Sequence, residues 1–283
     1  MSTSILTTTG AHAGAAPDAG DDVRLTFPRI VRSEWIKFRT LRSTIWTLAI
    51  AVLLMVGVAL LFAFGVKSSA GQIDAPGASI VTVGYYFGQL TLVVLGVLVI
   101  SGEYSTGMIR STFASVPTRL PTLWAKAIIL AVSSFLVGIV SVAISYLVTL
   151  PILAPLHLVP DLGDREAVRI MVGSALYLTA MALLALAIGA LLRHSAAAIA
   201  SVLGLVLVVE NVFQIPLTFF EKVSPFLPST AGARLMMPQE QMDALAQTTK
   251  GAILSPWQGY AVLVVWVVVL MTVAAVLMKR RDA

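Results

Sequence analysis

Residues 32–67, RSEWIKFRTLRSTIWTLAIAVLLMVGVALLFAFGVK, decide the fold. The back of this stretch, Thr44 to Val66, contains no ionisable side chain. At 1.5 Å rise per residue, about 20 apolar residues cross a hydrocarbon layer about 30 Å thick, and this run is long enough. The front is different. Phe27, Ile30, Val31, Trp35, Phe38, Leu41 and Ile45 recur at helical spacing, while Arg29, Arg32 and Arg39 fall opposite them. This predicts an amphipathic helix lying on a membrane surface and leading into a spanning one. Glu34 breaks the pattern by falling among the apolar residues. Two accounts of it stay open: a nearby basic partner, Lys37 or Arg42, or a contact with another subunit.

Five more stretches read the same way as 44–66: roughly 79–101, 123–147, 170–192, 196–215 and 259–278. The composition agrees. Hydrophobic residues make up 58% of the 283 and charged residues 12%, where a soluble domain carries about 25%. The expected fold is an all-α integral membrane protein of six transmembrane helices. Residues 1–25, small, polar and acidic, read as a disordered tail, 26–43 as the interface helix, and 44–283 as the six-span domain.

Lys and Arg set the orientation. With the N-terminus in the cytoplasm, that side collects Arg24, Arg29, Arg32, Lys37, Arg39 and Arg42, then Arg110, Arg119 and Lys126, then Arg193, and finally Lys279, Arg280 and Arg281. The opposite side keeps Lys67, Arg165, Arg169, Lys222, Arg234 and Lys250. Inversion would violate the positive-inside rule, so both termini are expected in the cytoplasm. Lys126, near an end of the third span, can snorkel.

Two connections carry unusual content. The loop between spans two and three, SGEYSTGMIRSTFASVPTRLPT (101–122), mixes charge with Met108, Ile109 and Phe113. Gly107 to Val116 is predicted to form a short helix ending before Pro117, whose apolar residues either tuck under the protein or dock on a partner. The connection after span five contains Pro216, Pro225, Pro228 and Pro238 and is too short and charged at its start to span. A broken helix dipping back toward the bilayer is the expected form.

Catalytic signatures are missing from the sequence. There is no cysteine, the three histidines are scattered, and no phosphate-binding loop or nucleophile elbow occurs. Ser134, Gly138, Ser141 and Ser145 form a small-residue stripe that reads as helix packing. Tyr85, Tyr86 and Phe87 read as interfacial anchors or a gate. Glu210 with Asn211 is either a functional site or a shallow carboxylate near Lys222 or solvent.

RSEWIKFRTLRSTIW and GEYSTGMIRSTFASVPTRLPTLWAKAI (102–128), in this order around a six-span layout, resemble the permease subunits of type-2 ATP-binding-cassette exporters of bacteria. The resemblance covers nearly the whole chain past residue 25. It implies a bacterial cell-membrane protein that pairs with a second, identical or paralogous permease and docks on two copies of a separate ATPase subunit. ATP and Mg would bind that partner, so this chain is expected to be neither an enzyme nor a nucleic-acid binder. The contacts implied are Glu103, Tyr104, Gly107, Met108, Ile109, Arg110, Phe113 and Arg119 around the loop, and Arg32, Glu34, Trp35, Lys37 and Phe38 on the interface helix. Glu103 and Arg119 are expected to clamp the loop as an ion pair. The candidate pathway residues are Tyr85, Tyr86, Phe87, Glu210 and Asn211, for a small amphipathic drug, lipid or peptide. The competing reading is a membrane-embedded scaffold without a transport cycle.

Overall fold

The computed structural model describes residues 26–69, 75–105, 120–215, 217–249 and 251–280. Among them there is no strand, and six helices are long and apolar enough to cross a membrane. The chain is an all-α, multi-pass membrane protein.

The first element is α1 (Phe27–Thr40), which begins with Pro28 in its first turn, where a missing N–H costs nothing. Leu41 alone is extended (φ −72°, ψ 114°) and turns the chain into the first span, α2 (Arg42–Ser68). The second span is a short α3 (Gly77–Thr82) followed by α4 (Tyr85–Ser105). At the break, Gly84 abuts the backbone of Met55 on α2, where any side chain would overlap it. The third span is α5 (Leu120–Leu153).

The fourth span, α6 (Arg165–Leu192), is capped at both ends. The Asp164 carboxylate accepts from the backbone N–H groups of Glu166 and Ala167, both at 3.1 Å, and Arg193 closes the helix in a left-handed conformation (φ 53°). The fifth span runs from α7 (Ser195–Gly204) through a π-helical turn (Leu205–Val209) to a final turn, α8 (Glu210–Val212). After it come α9 (Thr218–Val223), α10 (Pro228–Ala233) and α11 (Gln239–Thr248), then the sixth span, α12 (Pro256–Arg280).

Each predicted stretch coincides with a long apolar helix; the third runs on to Leu156, and the fifth stops at Val212, three residues short of its predicted end. The α6 helix is the centre: 67% of its apolar window is buried, against 28% for α2 and α12 and 22% for the fifth span. It packs on α4, α5 and α12. Ser134, Gly138, Ser141 and Ser145 are all buried, and Gly138 sits against Ala175 of α6, where an added Cβ would come within 2.8 Å of the Ala175 Cα. The small-residue stripe is therefore a packing surface, as its spacing predicts.

The connection after span five is broken into short helices, as expected. α10 packs against α6 and α12, and Trp266, ten residues into α12, donates its indole N–H to the Phe226 carbonyl at 2.9 Å. Protein groups cover much of the 228–236 backbone, the condition under which irregular backbone is tolerated near a bilayer.

Candidate functional site

The face of α1 that turns inward is Ile30, Glu34 and Phe38, one residue per turn. Phe27, Trp35 and Leu41, assigned to the same apolar face from spacing, are exposed instead. The apolar stripe is thus split. One edge packs on α5 and α2, and the other, with Trp35 stacked on Phe38 (ring centroids 6.2 Å apart), faces outward. Arg32 is exposed. Glu34 is no irregularity, since it lies at the middle of the inward edge.

What Glu34 meets there is Lys126. Its ammonium donates to Glu34 Oε2 at 2.6 Å and to Glu103 Oε1 at 2.7 Å. Lys37 donates to Glu34 Oε1 at 2.7 Å and reaches Glu103 Oε1 at 3.5 Å. Two acids and two bases from α1, the foot of α4 and the start of α5 form one neutral cluster. Three of the side chains are nearly sealed: Lys126, Glu34 and Glu103 are 6%, 5% and 10% exposed, whereas Lys37 is 34% exposed. Lys126, read as able to snorkel, is instead buried on two carboxylates. Its stem runs inward, because two buried carboxylates offer more than a path to water. Glu34 does take Lys37 as its neighbouring base, but Lys126, 92 residues away in sequence, is the deeper partner.

The electrostatics follow from this geometry. Burial pushes the Glu34 carboxyl up, but Lys126 and Lys37 together outweigh it and hold the group below its ordinary value. Burial likewise pulls Lys37 down, and Glu34 and Glu103 outweigh that and hold its ammonium above its ordinary value. Glu103 Oε2 is buried and has no partner among the described residues. Arg119, expected to pair with Glu103, lies outside the described residues, as do Gly107, Met108, Ile109, Arg110 and Phe113. The Tyr104 ring lies under the Arg193 guanidinium, 5.4 Å from its centroid, which links the ends of α4 and α6.

A cavity of about 380 Å³ opens beside the cluster, walled by Phe38, Leu41, Thr44, Leu95, Val99 and Ile129. Its walls are apolar and its floor is charged.

The candidate pathway residues are at the other end of the bundle. Tyr85 is buried, stacked on Tyr86 (4.2 Å) and edge-on to Tyr177 (5.5 Å), whereas Tyr86 and Phe87 are exposed. Glu210 is buried and does not pair with Lys222. It accepts from the backbone N–H of Ser229 at 2.8 Å, from that of Thr230 at 2.6 Å and from the Thr230 hydroxyl at 2.8 Å. The carboxylate therefore caps α10 from a different element. The Tyr177 hydroxyl shares a hydrogen bond with the Ser229 hydroxyl at 2.9 Å and donates to Gln89 Oε1 at 2.5 Å. Glu210 and Tyr85 thus border one polar network that locks spans two, four and five to α10. Asn211 is exposed and donates to the Leu207 carbonyl at 3.0 Å, filling an acceptor loosened by the π turn.

The sequence reading passed over Gln89, Tyr177 and Ser229. Gln89 alone carried a signal, as an amide inside an apolar run. No family model matches the chain, and no curated protein matches it.

Proposed function

We propose that the chain is the membrane-spanning permease subunit of an ATP-driven exporter of the type-2 ATP-binding-cassette kind. Two permease chains, identical or paralogous, form the translocation path, and a separate ATPase subunit docks on each from the cytoplasm, against α1 and the 101–122 loop. The cargo is a small amphipathic compound. Both termini face the cytoplasm of a bacterial cell.

The observation that carries this reading is the double bridge of Lys126 to Glu34 and Glu103. The 101–122 loop includes Glu103 at the foot of α4, and Lys126 follows it in the second turn of α5. A bridge between those two residues closes the loop at its base, and the contact with Glu34 adds the interface helix to the same body. A push on the loop or on α1 then moves spans two and three together rather than bending one of them. Transmission of this kind needs stiff elements with two discrete arrangements, and a charged joint in a dry setting is stiff. The resemblance of 32–46 and 102–128 to such permeases points the same way.

The test is to purify the tagged chain from its native membranes and identify what accompanies it. An ATPase with a phosphate-binding loop is expected, and proteoliposomes holding both proteins should accumulate an amphipathic probe only with ATP. A chain that purifies alone and supports no ATP-dependent flux would favour the scaffold reading.

A further inference from the structure

Arg234 entered the sequence reading only as one cation of the less basic side. In the structure it opens a single 3-10 turn (Arg234–Met236) after α10 and is 8% exposed. Among the described residues it takes part in no ion pair; its polar contact is the Met237 sulfur, 3.6 Å from Nη1. Two acids in this part of the fold, Glu210 and Glu166, are engaged elsewhere. Glu210 is held by the backbone of α10, and Glu166 accepts from the Gln239 N–H at 3.0 Å and lies 4.0 Å from Arg169. Arg169 in turn donates to the carbonyls of Leu235 and Met237, at 2.7 and 3.1 Å. Arg169 and Arg234 therefore both contact the 235–237 segment. Burial draws the Arg234 guanidinium below its usual range with no acid to offset it.

A guanidinium drawn this far into the fold without an acid partner is unfavourable unless an anion reaches it from the surface. The level at which it occurs suggests what neutralises it. The Arg234 stem lies over Gly259 in the first turn of α12, where an added Cβ would come within 2.8 Å of Arg234 Cβ. Trp257, exposed, and Tyr260, edge-on to it at 6.4 Å, flank that glycine. Paired aromatics at the end of a span mark the interface, where lipid phosphates lie.

We propose that Arg234 is the anchor of a phosphate-anion site at the end of the bundle opposite α1, and that a phospholipid headgroup supplies the phosphate in the membrane. The guanidinium fork matches two phosphate oxygens, and Arg169 adds a second positive field. A lipid held there pins the 228–237 segment to the start of α12. This does not depend on the chain being an exporter.

The test uses the full chain, delipidated in a phosphate-free maltoside detergent, with thermal unfolding followed by tryptophan fluorescence. Phosphatidylglycerol should raise the midpoint, and diacylglycerol with the same acyl chains should not. Inorganic phosphate alone producing the same rise would identify a free anion as the ligand of the same site. Arg234→Met keeps the stem over Gly259 and should bind phosphatidylglycerol at least about tenfold more weakly, and Arg234→Lys should lose less. Equal shifts with phosphatidylglycerol and diacylglycerol in the unmodified chain would overturn the proposal without any variant. Full retention of the lipid response in Arg234→Met would overturn the assignment to this residue.

Discussion

The two ends of the bundle handle buried charge in opposite ways. At the α1 end, Glu34, Lys37, Glu103 and Lys126 pair with one another across three elements. At the other end, Glu210 is satisfied by the amides of α10 and Arg169 by the carbonyls of Leu235 and Met237, so charge meets backbone. Side chain paired with side chain joins helices that are far apart in sequence and lets them move as one. Side chain paired with backbone fixes a short irregular segment in place. One end is built as a joint and the other as a fitted cover.

The strongest way to break this contrast is Lys126→Met. It leaves two buried carboxylates with only the part-exposed Lys37, and removing one partner of a buried cluster costs about 3–5 kcal/mol. Unfolding in detergent should show a loss of that order, and adding Glu103→Gln should restore part of it, a coupling of about 0.5–3 kcal/mol. Glu210→Gln comes next. It keeps the shape but removes the charge from three hydrogen bonds, a loss of about 1–3 kcal/mol. Proteolysis should then rise within 217–249 while the α1 end keeps its protection; equal loosening of both ends would mean that the two regions are not separate. Lys37→Ala should cost less than about 1 kcal/mol, because its side chain is 34% exposed and water screens the pair.

The smallest effect is with pH, and its sign is fixed. Glu34 titrates below its ordinary 4.5 in the folded chain, so its contribution is present above that value and lost as pH falls through the lower folded value. Lys37 titrates above its ordinary 10.5, so its contribution is present below that value and lost as pH rises through the higher folded value. Thermal stability should therefore be flat with respect to these two groups between about pH 5 and 10. A loss centred near neutral pH that disappears in Lys126→Met would contradict the cluster.

How much of this was legible in the sequence differs by element. The spans were, because length and apolarity alone specify them, and Ser134, Gly138, Ser141 and Ser145 announced a packing face by spacing. Glu34 and Lys126 were each visible as anomalies, a carboxylate on an apolar face and an ammonium in an apolar span. Their pairing was not, because nothing in a periodic pattern says which helices touch. Glu210 was visible too, as a carboxylate late in an apolar span, but its inward placement against α10 was not. Ala198, Val202, Val206 and Glu210 are all buried at steps of four. In a 3.6-residue helix such steps precess by about 40° each. The π-helical turn at Leu205–Val209 takes back that drift and keeps Glu210 facing inward, and such turns have no sequence signature as clear as a cap.

The central claim is the proposal that the 101–122 loop, flanked by the Lys126–Glu103 bridge, is the surface on which an ATPase acts from the cytoplasm. The chain has no cysteine, so single cysteines placed at Arg110 and Phe113 report without background. With a membrane-impermeant thiol reagent, the account predicts no labelling in intact cells, labelling in inverted membranes stripped of the ATPase, and protection when the ATPase is restored. Labelling of either position from outside intact cells would contradict it.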